Sequence, residues 1–513
     1  MRSLLPVIGV FFAGLVFADV KPNALFSDHM VLQSGMSVPV WGTADPGEKV
    51  TVTIAAQSQS ATAGSDGKWM VRLGDLKPGG PMEMAIDGKN HLLVKDALVG
   101  EVWLGSGQSN MAFTVSKKKA SYAGLIDEDK EIAAADYPRI RMFTAKTAKT
   151  YEPRQEIGGE WLICNPENVP GFSAVGYLFA RDLQKELEVP VGILTVAFGA
   201  STAESWIPRA AMAEDPQLKP MLDKFDNIVH FHREHPGALA SEAPEAPQTI
   251  NARPGNDKAP LRDPVQDQHQ PTVLFNGMIY PVIPYAIRGA IWYQGESIVG
   301  GKAGVALYPH VMETLVGNWR KLWAEGDFPF YAVQLPALGN VSNNPAVREG
   351  QAQLTQLPNT AVAVTIDIGD PKDVHPHNKA PLGDRLTRIA LANAYGRKME
   401  YSGPVYQSMQ TDGSSVRIRF THTGGGLVAK DGPLRWLRIA GADQKFVEAS
   451  GRIDGDSVVV SSPEVGSPVA VRYAWDNYPE GCNLYNAEGL PAAPFRTDRW
   501  DVLTGIAAQF TGK

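Results

Sequence analysis

The sequence predicts an α/β protein whose parallel-sheet core is flanked by N- and C-terminal antiparallel β domains. Three observations predict it. Apolar residues alternate with period two from about 20 to 97, where Val50, Val52 and Ile54, then Trp69, Val71 and Leu73, then Met82, Met84 and Ile86 are separated by Asp45-Pro46-Gly47, Asp66-Gly67 and Asp87-Gly88 turns. The same signature returns after about 400, in Val416, Ile418 and Phe420, in Val458 to Val460, and in Val471, Tyr473 and Trp475. Between these regions, short apolar runs alternate with segments of helical period, which implies a parallel sheet with helices on both faces.

Taken in order, Val102-Trp103-Leu104 is an apolar strand entering a Gly-rich turn. Ser173 is placed to cap a helix running to about Glu188, with Val175, Leu178, Phe179, Leu183 and Leu187 on one face. Val191 to Phe198 reads as strand, Ile287 to Tyr293 as strand, Tyr308 to Trp323 as helix and Phe330 to Leu335 as strand. Val347 to Leu357 follows as helix, Ala361 to Ile366 as strand, and Pro381 to Ala394 as a last helix. Residues 233–272 interrupt the rhythm with seven prolines and few apolar residues, and read as a surface insertion. The expected division is 19–97 for the N-terminal β domain, 98–400 for the α/β domain and 401–513 for the C-terminal β domain.

Composition narrows the function. A chain of 513 residues should divide into two to four domains, and 44% hydrophobic with 20% charged residues excludes wholesale disorder. The net charge is −7 and the one basic run is Lys117-Lys118-Lys119, so nucleic acid is not an expected partner. Arg2, the apolar stretch Leu4 to Phe17 and Val16-Phe17-Ala18 read as a signal peptide over 1–18, with the mature chain expected from Asp19. No later run approaches the roughly 18 to 20 apolar residues that span a bilayer, so membrane insertion is not expected. The protein is therefore expected to be exported, periplasmic or extracellular. Cys164 and Cys482 lie in different expected domains and are read as unpaired.

Ligands of parallel sheets bind beyond the carboxyl ends of the strands, so polar residues just after a strand are the candidates for chemistry. Three places qualify. The first is Gly105-Ser106-Gly107-Gln108-Ser109-Asn110-Met111, where Ser109 sits in a tight turn as a nucleophile would. It lacks the G-x-S-x-G pattern, and the competing reading is a serine that caps the next helix. The second is Asp373-Val374-His375-Pro376-His377. A serine hydroxyl needs a base to take its proton, and Asp373 with His375 supplies a carboxylate and a base from one segment. A zinc site through His375 and His377 lacks matching further ligands, so no metal is expected. The third is Trp292-Tyr293-Gln294-Gly295-Glu296-Ser297, where the Gln294 amide could donate to a developing oxyanion and Glu296 reads as a carboxylate tying down the loop.

Together these segments resemble the sialate O-acetylesterase family, a branch of the SGNH (GDSL-like) hydrolases. The resemblance runs nearly the length of the mature chain. It is carried by Leu25-Phe26-Ser27-Asp28-His29-Met30-Val31-Leu32-Gln33, Gly107-Gln108-Ser109-Asn110-Met111, Phe172-Ser173-Ala174-Val175 and Asn276-Gly277-Met278-Ile279. It continues through Trp292 to Ser297, Asp367-Ile368-Gly369-Asp370, Asn378-Lys379, Leu484-Tyr485-Asn486 and Pro494-Phe495-Arg496.

The resemblance implies a carboxylic ester hydrolase on a flavodoxin-like SGNH core, needing no cofactor. Ser109 would be the nucleophile, His375 the base and then the acid, and Asp373 its orienting carboxylate. The oxyanion hole would use the Ser109 and Gly199 amides and the Gln294 side chain, with Asn110, Glu296 and Asp370 in support. Three departures stand out. Position 298 is Ile where the family usually has Asn, and the Phe198-Gly199-Ala200-Ser201 segment is less glycine-rich than the usual form. The Asp-to-His spacing is two rather than three, which leaves Asp370 or Asp367 as alternative partners of His375, or a Ser–His dyad. The substrate this implies is an O-acetylated sugar, sialate first. Acetylated xylan or another polysaccharide is the alternative within the class, and a non-catalytic glycan-binding protein the alternative outside it.

Overall fold

The computed structural model describes residues 19–244, 259–298, 302–339 and 343–502. The expected signal peptide and the middle of the Pro-rich insertion lie outside the described residues.

The organising element is one long strand, His91–Gly107. Its first half belongs to the N-terminal β region, pairing with Gly79–Asp87 antiparallel and with Val31–Gln33 parallel. Its second half is the middle of the parallel sheet. There the order is Tyr137–Thr144, Val191–Ala197, His91–Gly107, Gly289–Tyr293, Phe330–Val333 and Thr360–Ala363, with Trp161–Cys164 antiparallel on the outer edge. The expected boundary at residue 97 thus falls inside a strand, and the two regions share one continuous sheet.

The central strands are buried on both faces, as parallel sheets between helices require. Successive side chains point to opposite faces, so Val102 and Leu104 enter one core and Trp103 the other. Helices Ala174–Leu187 and Ala380–Asn393 pack together on the Trp103 face. Helix Lys302–Trp323 covers the opposite face, where Trp292, Trp319 and Phe330 meet. Helix Ala174–Leu187 starts where the sequence places it: the Ser173 hydroxyl accepts the Gly176 amide at 3.1 Å and donates to the Met111 carbonyl at 2.6 Å.

The C-terminal region is antiparallel throughout the described residues. One four-stranded sheet orders Val405–Asp412, Ser415–Thr421, Ser457–Ser461 and Ser450–Asp454. A second orders Phe446–Glu448, Leu437–Ala440, Ala470–Tyr473 and Phe495–Arg496. Their core also takes in Ala337, Val364 and Ile366 from the loops that follow the last parallel strands.

One expectation needs refining. The end of the 233–272 segment is not on the surface, because Gln270 and Thr272 are buried against the turn after Val191–Ala197. Thr202 Oγ1 donates to the His269 carbonyl, Ser205 Oγ to the Gln268 carbonyl, and the Thr272 amide to the Glu204 carbonyl. Cys164 and Cys482 are each buried and free.

Candidate active site

Three strand ends stop at one level. Gly107 pairs with Ala197 on one side and with Tyr293 on the other, so the chain leaves the sheet at the same height three times. Ser109 follows Gly107 by two residues, Gly199 follows Ala197 by two, and Gln294 follows Tyr293 by one. Gly107 makes the turn possible: its φ is +131°, and a Cβ there would lie 2.1 Å from the Tyr293 carbonyl oxygen. Its neighbours close the edge, with the Gln108 amide donating to the Tyr293 carbonyl and the Phe198 amide to the Gly107 carbonyl.

Ser109 opens the four-residue helix Ser109–Ala112, so its amide lies in a first turn where backbone N–H groups have no intrahelical acceptor. Gly199 stands directly beside it, since a Cβ on Gly199 would lie 3.7 Å from Ser109 Cβ.

The second segment arrives from the loop after Thr360–Ala363. His375 Nε2 lies 2.8 Å from Ser109 Oγ across 266 residues of chain. Three carboxylates were candidates to face its other nitrogen. Asp367 is taken by Arg385 through two hydrogen bonds of 2.7 and 2.8 Å and accepts the Tyr485 hydroxyl. Asp370 accepts the Lys372 and Asp373 amides at 2.7 and 2.9 Å, which hold its carboxyl below the usual range and shape the turn. Asp373 comes near: its Oδ1 is 3.6 Å from His375 Nδ1 and accepts the His375 amide at 2.8 Å, while Oδ2 is 3.4 Å from His377 Nε2. At 3.6 Å the imidazole contact is electrostatic rather than a hydrogen bond. His377 Nδ1 is turned to the Gly124 carbonyl and its ring packs edge-on against Phe113.

Burial is the largest influence on His375 and lowers its pKa. Asp373 opposes that shift, while Lys379 and His377 reinforce it.

Gln294, expected as an oxyanion donor, already spends a donor within the protein. It is fully buried, and its Nε2 donates to the Ser201 carbonyl at 3.1 Å. Through that bond its Nε2 holds the Gly199–Ser201 turn, while its Oε1 is buried with no hydrogen-bond partner among the described residues. Asn110 and Glu296 meet each other: Asn110 Nδ2 donates to Glu296 Oε1 at 2.5 Å and to the Val374 carbonyl at 2.9 Å. Burial raises the Glu296 pKa. Ile298, at the position expected to be Asn, is buried.

Two residues at the site were not assigned a role from the sequence, although Lys379 stands in the Asn378-Lys379 segment of the resemblance. Tyr122 is 38% exposed, and its ring centre lies 4.7 Å from that of His375, which gives the site an aromatic wall. Lys379 is 1% exposed, and its ammonium donates to Asn110 Oδ1. Their spacing assigns neither a role, because both reach the site through folded loops.

Comparison with known proteins gives the family. Residues 274–393 match the family model described as carbohydrate esterase, sialic acid-specific acetylesterase. A carbohydrate acetylesterase from Xanthomonas citri, known from its crystal structure, is 33% identical, covers 94% of this chain and 100% of its own, and superposes with a TM-score of 0.79. The chain belongs to this family of carbohydrate esterases. Sialate O-acetylesterases of mouse and human are each 27% identical to this family member, over 96% and 94% of its chain and 97% and 96% of theirs. The segment matched by the family model contains Gln294, Glu296, Asp373, His375 and Lys379. Ser109 and Gly199 lie before it and join the site through the sheet.

Proposed function

We propose that this carbohydrate esterase removes O-acetyl groups from sugars, sialate esters first, through an acetyl-serine intermediate. The contact of 2.8 Å between Ser109 Oγ and His375 Nε2, at the carboxyl edge of a parallel sheet, is the observation that carries the reading. The mouse and human relatives named sialate O-acetylesterase support the choice of sugar.

In this reading the Ser109 hydroxyl passes its proton to His375 Nε2 as Oγ attacks the acetyl carbon. The tetrahedral oxyanion forms beside the neighbouring Ser109 and Gly199 amides, and each donor of this kind is worth about 3 to 4 kcal/mol to a transition state. Protonated His375 then gives its proton to the departing sugar oxygen, and Asp373 steadies the imidazolium electrostatically. Water, deprotonated by His375, releases acetate and restores Ser109. Tyr122, an exposed ring beside His375, offers a flat apolar wall to a sugar.

The finer architecture follows the same reading. With Tyr137–Thr144, the parallel strand beside the antiparallel edge, set aside, the parallel order, numbered along the chain, is 2-1-3-4-5, which supports a flavodoxin-like SGNH core. The apolar N-terminus supports export before the enzyme acts. Among the described residues no helix is long and apolar enough to cross a membrane.

The test is acetate release from a 9-O-acetylated sialic acid and from acetylated xylan by the wild type and Ser109→Ala. The reading expects Ser109-dependent release, faster from sialate. Faster release from xylan would replace the substrate, and release independent of Ser109 would replace the mechanism.

A further inference from the structure

Behind the Ser109–His375 pair lies a polar cluster that the esterase mechanism does not use. Lys379 is 1% exposed, one residue before helix Ala380–Asn393, and its ammonium sits over two rings, 4.8 Å from the centre of Phe113 and 5.1 Å from that of Tyr293. Its hydrogen bond goes to Asn110 Oδ1. Asn110, itself fully buried, uses its other face for Glu296 Oε1 and for the carbonyl of Val374. Asn110 adjoins the nucleophile and Val374 adjoins the base. Lys379 and Asn110 therefore form a short bridge between the two halves of the reacting pair, with Glu296 anchoring it to the third strand end.

We infer that Lys379 is a positioning residue of the esterase: it holds Asn110 so that the histidine loop is seated on the nucleophile turn. The inference rests on the Ser109–His375 reading and adds a group that touches neither substrate nor the reacting atoms.

Electrostatics supports it. Burial pushes the Lys379 pKa down to about 7, against the opposing pull of Glu296 and Asp373, the two carboxylates that face it. His375 is faced by Asp373, which favours its protonation, and by Lys379 and His377, which disfavour it, with the Tyr122 ring on its flank. A cation at Lys379 thus helps keep the imidazole neutral and able to accept a proton. Losing it should raise the pKa of His375. A base with a raised pKa stays protonated to higher pH, so the acid limb of the rate profile should move upward.

The experiment compares Lys379→Met, which keeps the length and removes both donor and charge, with Lys379→Gln, which keeps a donor without charge. The readouts are kcat, KM and the pH dependence of kcat/KM on p-nitrophenyl acetate, with thermal melts alongside. Lys379→Met is expected to lower kcat about tenfold or more, to change KM less than twofold and to move the acid limb to higher pH. Lys379→Gln should recover part of kcat while its limb stays displaced. Full activity and an unmoved limb in Lys379→Met would overturn the inference. So would a loss of activity that tracks a lowered melting temperature with the limb unmoved in whichever variant folds, since that marks a lysine serving only stability. Failure of the esterase reading itself would show separately, as turnover surviving in Ser109→Ala.

Discussion

His375 works from a half-buried position, and that decides its pH behaviour. Burial favours the neutral imidazole, so its pKa lies below the ordinary value of about 6.5. Only the neutral form can take the Ser109 proton. Activity should therefore be at its plateau at pH 7 and fall along an acid limb centred below about 6.5, as kcat/KM measured between pH 4 and 8 would show. A limb centred above 6.5 would mean that Asp373 outweighs burial. The same residue scale shows what spacing conveys and what it does not. Asp373 and His375 were legible because a carboxylate and an imidazole two residues apart share a loop. The choice among Asp367, Asp370 and Asp373 was not, because it turns on Arg385, Tyr485 and two backbone amides that claim the first two carboxylates. Gln294 was legible as a polar residue at a strand end, but its burial and its bond to Ser201 depend on a turn contributed by another strand.

Elements bring these side chains to one level, and their junctions are where single changes should be felt. Ser173 does two tasks, capping Ala174–Leu187 and holding the Met111 carbonyl at the end of the nucleophile helix. Ser173→Ala removes both bonds from a buried site and should cost about 1 to 2 kcal/mol of stability, read by urea denaturation. A cost within a few tenths of a kcal/mol would show that water replaces the hydroxyl. Most strands and helices of the core were legible, because doubly covered strands give continuous apolar runs and the helices show a clear face, but the parallel strand Tyr137–Thr144 and the helix Lys219–Glu234 were not predicted. Boundaries were less legible. The helix expected from Tyr308 begins at Lys302 and runs through Pro309, a residue that usually marks a first turn. The strand expected to end at Ile366 stops at Ala363, because Val364 and Ile366 turn into the C-terminal core instead.

At the scale of the molecule, two junctions hold three sheet-bearing regions together. The first is the strand His91–Gly107, continuous between the N-terminal β region and the parallel core, which no composition shift announces. The second is Arg348, 1% exposed, whose guanidinium donates to the carbonyls of Leu335 and Pro336 in the core and of Asp476 and Asn477 in the C-terminal region. Enclosed by carbonyls, it is pushed by burial down to a pKa of about 9. Arg348→Met would strip this donor from the buried carbonyls of Leu335 and Pro336 and from the partly buried ones of Asp476 and Asn477, and a buried group left without a partner costs about 1 to 3 kcal/mol at most sites. The expected outcome in calorimetry is a clear drop in melting temperature, with the C-terminal region melting ahead of the core. A single unchanged transition would show that the apolar contacts of Ala337, Val364 and Ile366 suffice to couple the two.

The central claim is that Ser109, activated by His375, carries the ester chemistry. Its most direct measurement is acetate release from a 9-O-acetylated sialic acid by wild type and by folded Ser109→Ala at pH 7. The account predicts turnover in the wild type and a loss of about a thousandfold or more in the variant, in keeping with removal of a serine nucleophile. Release by Ser109→Ala within a few per cent of the wild-type rate would contradict it.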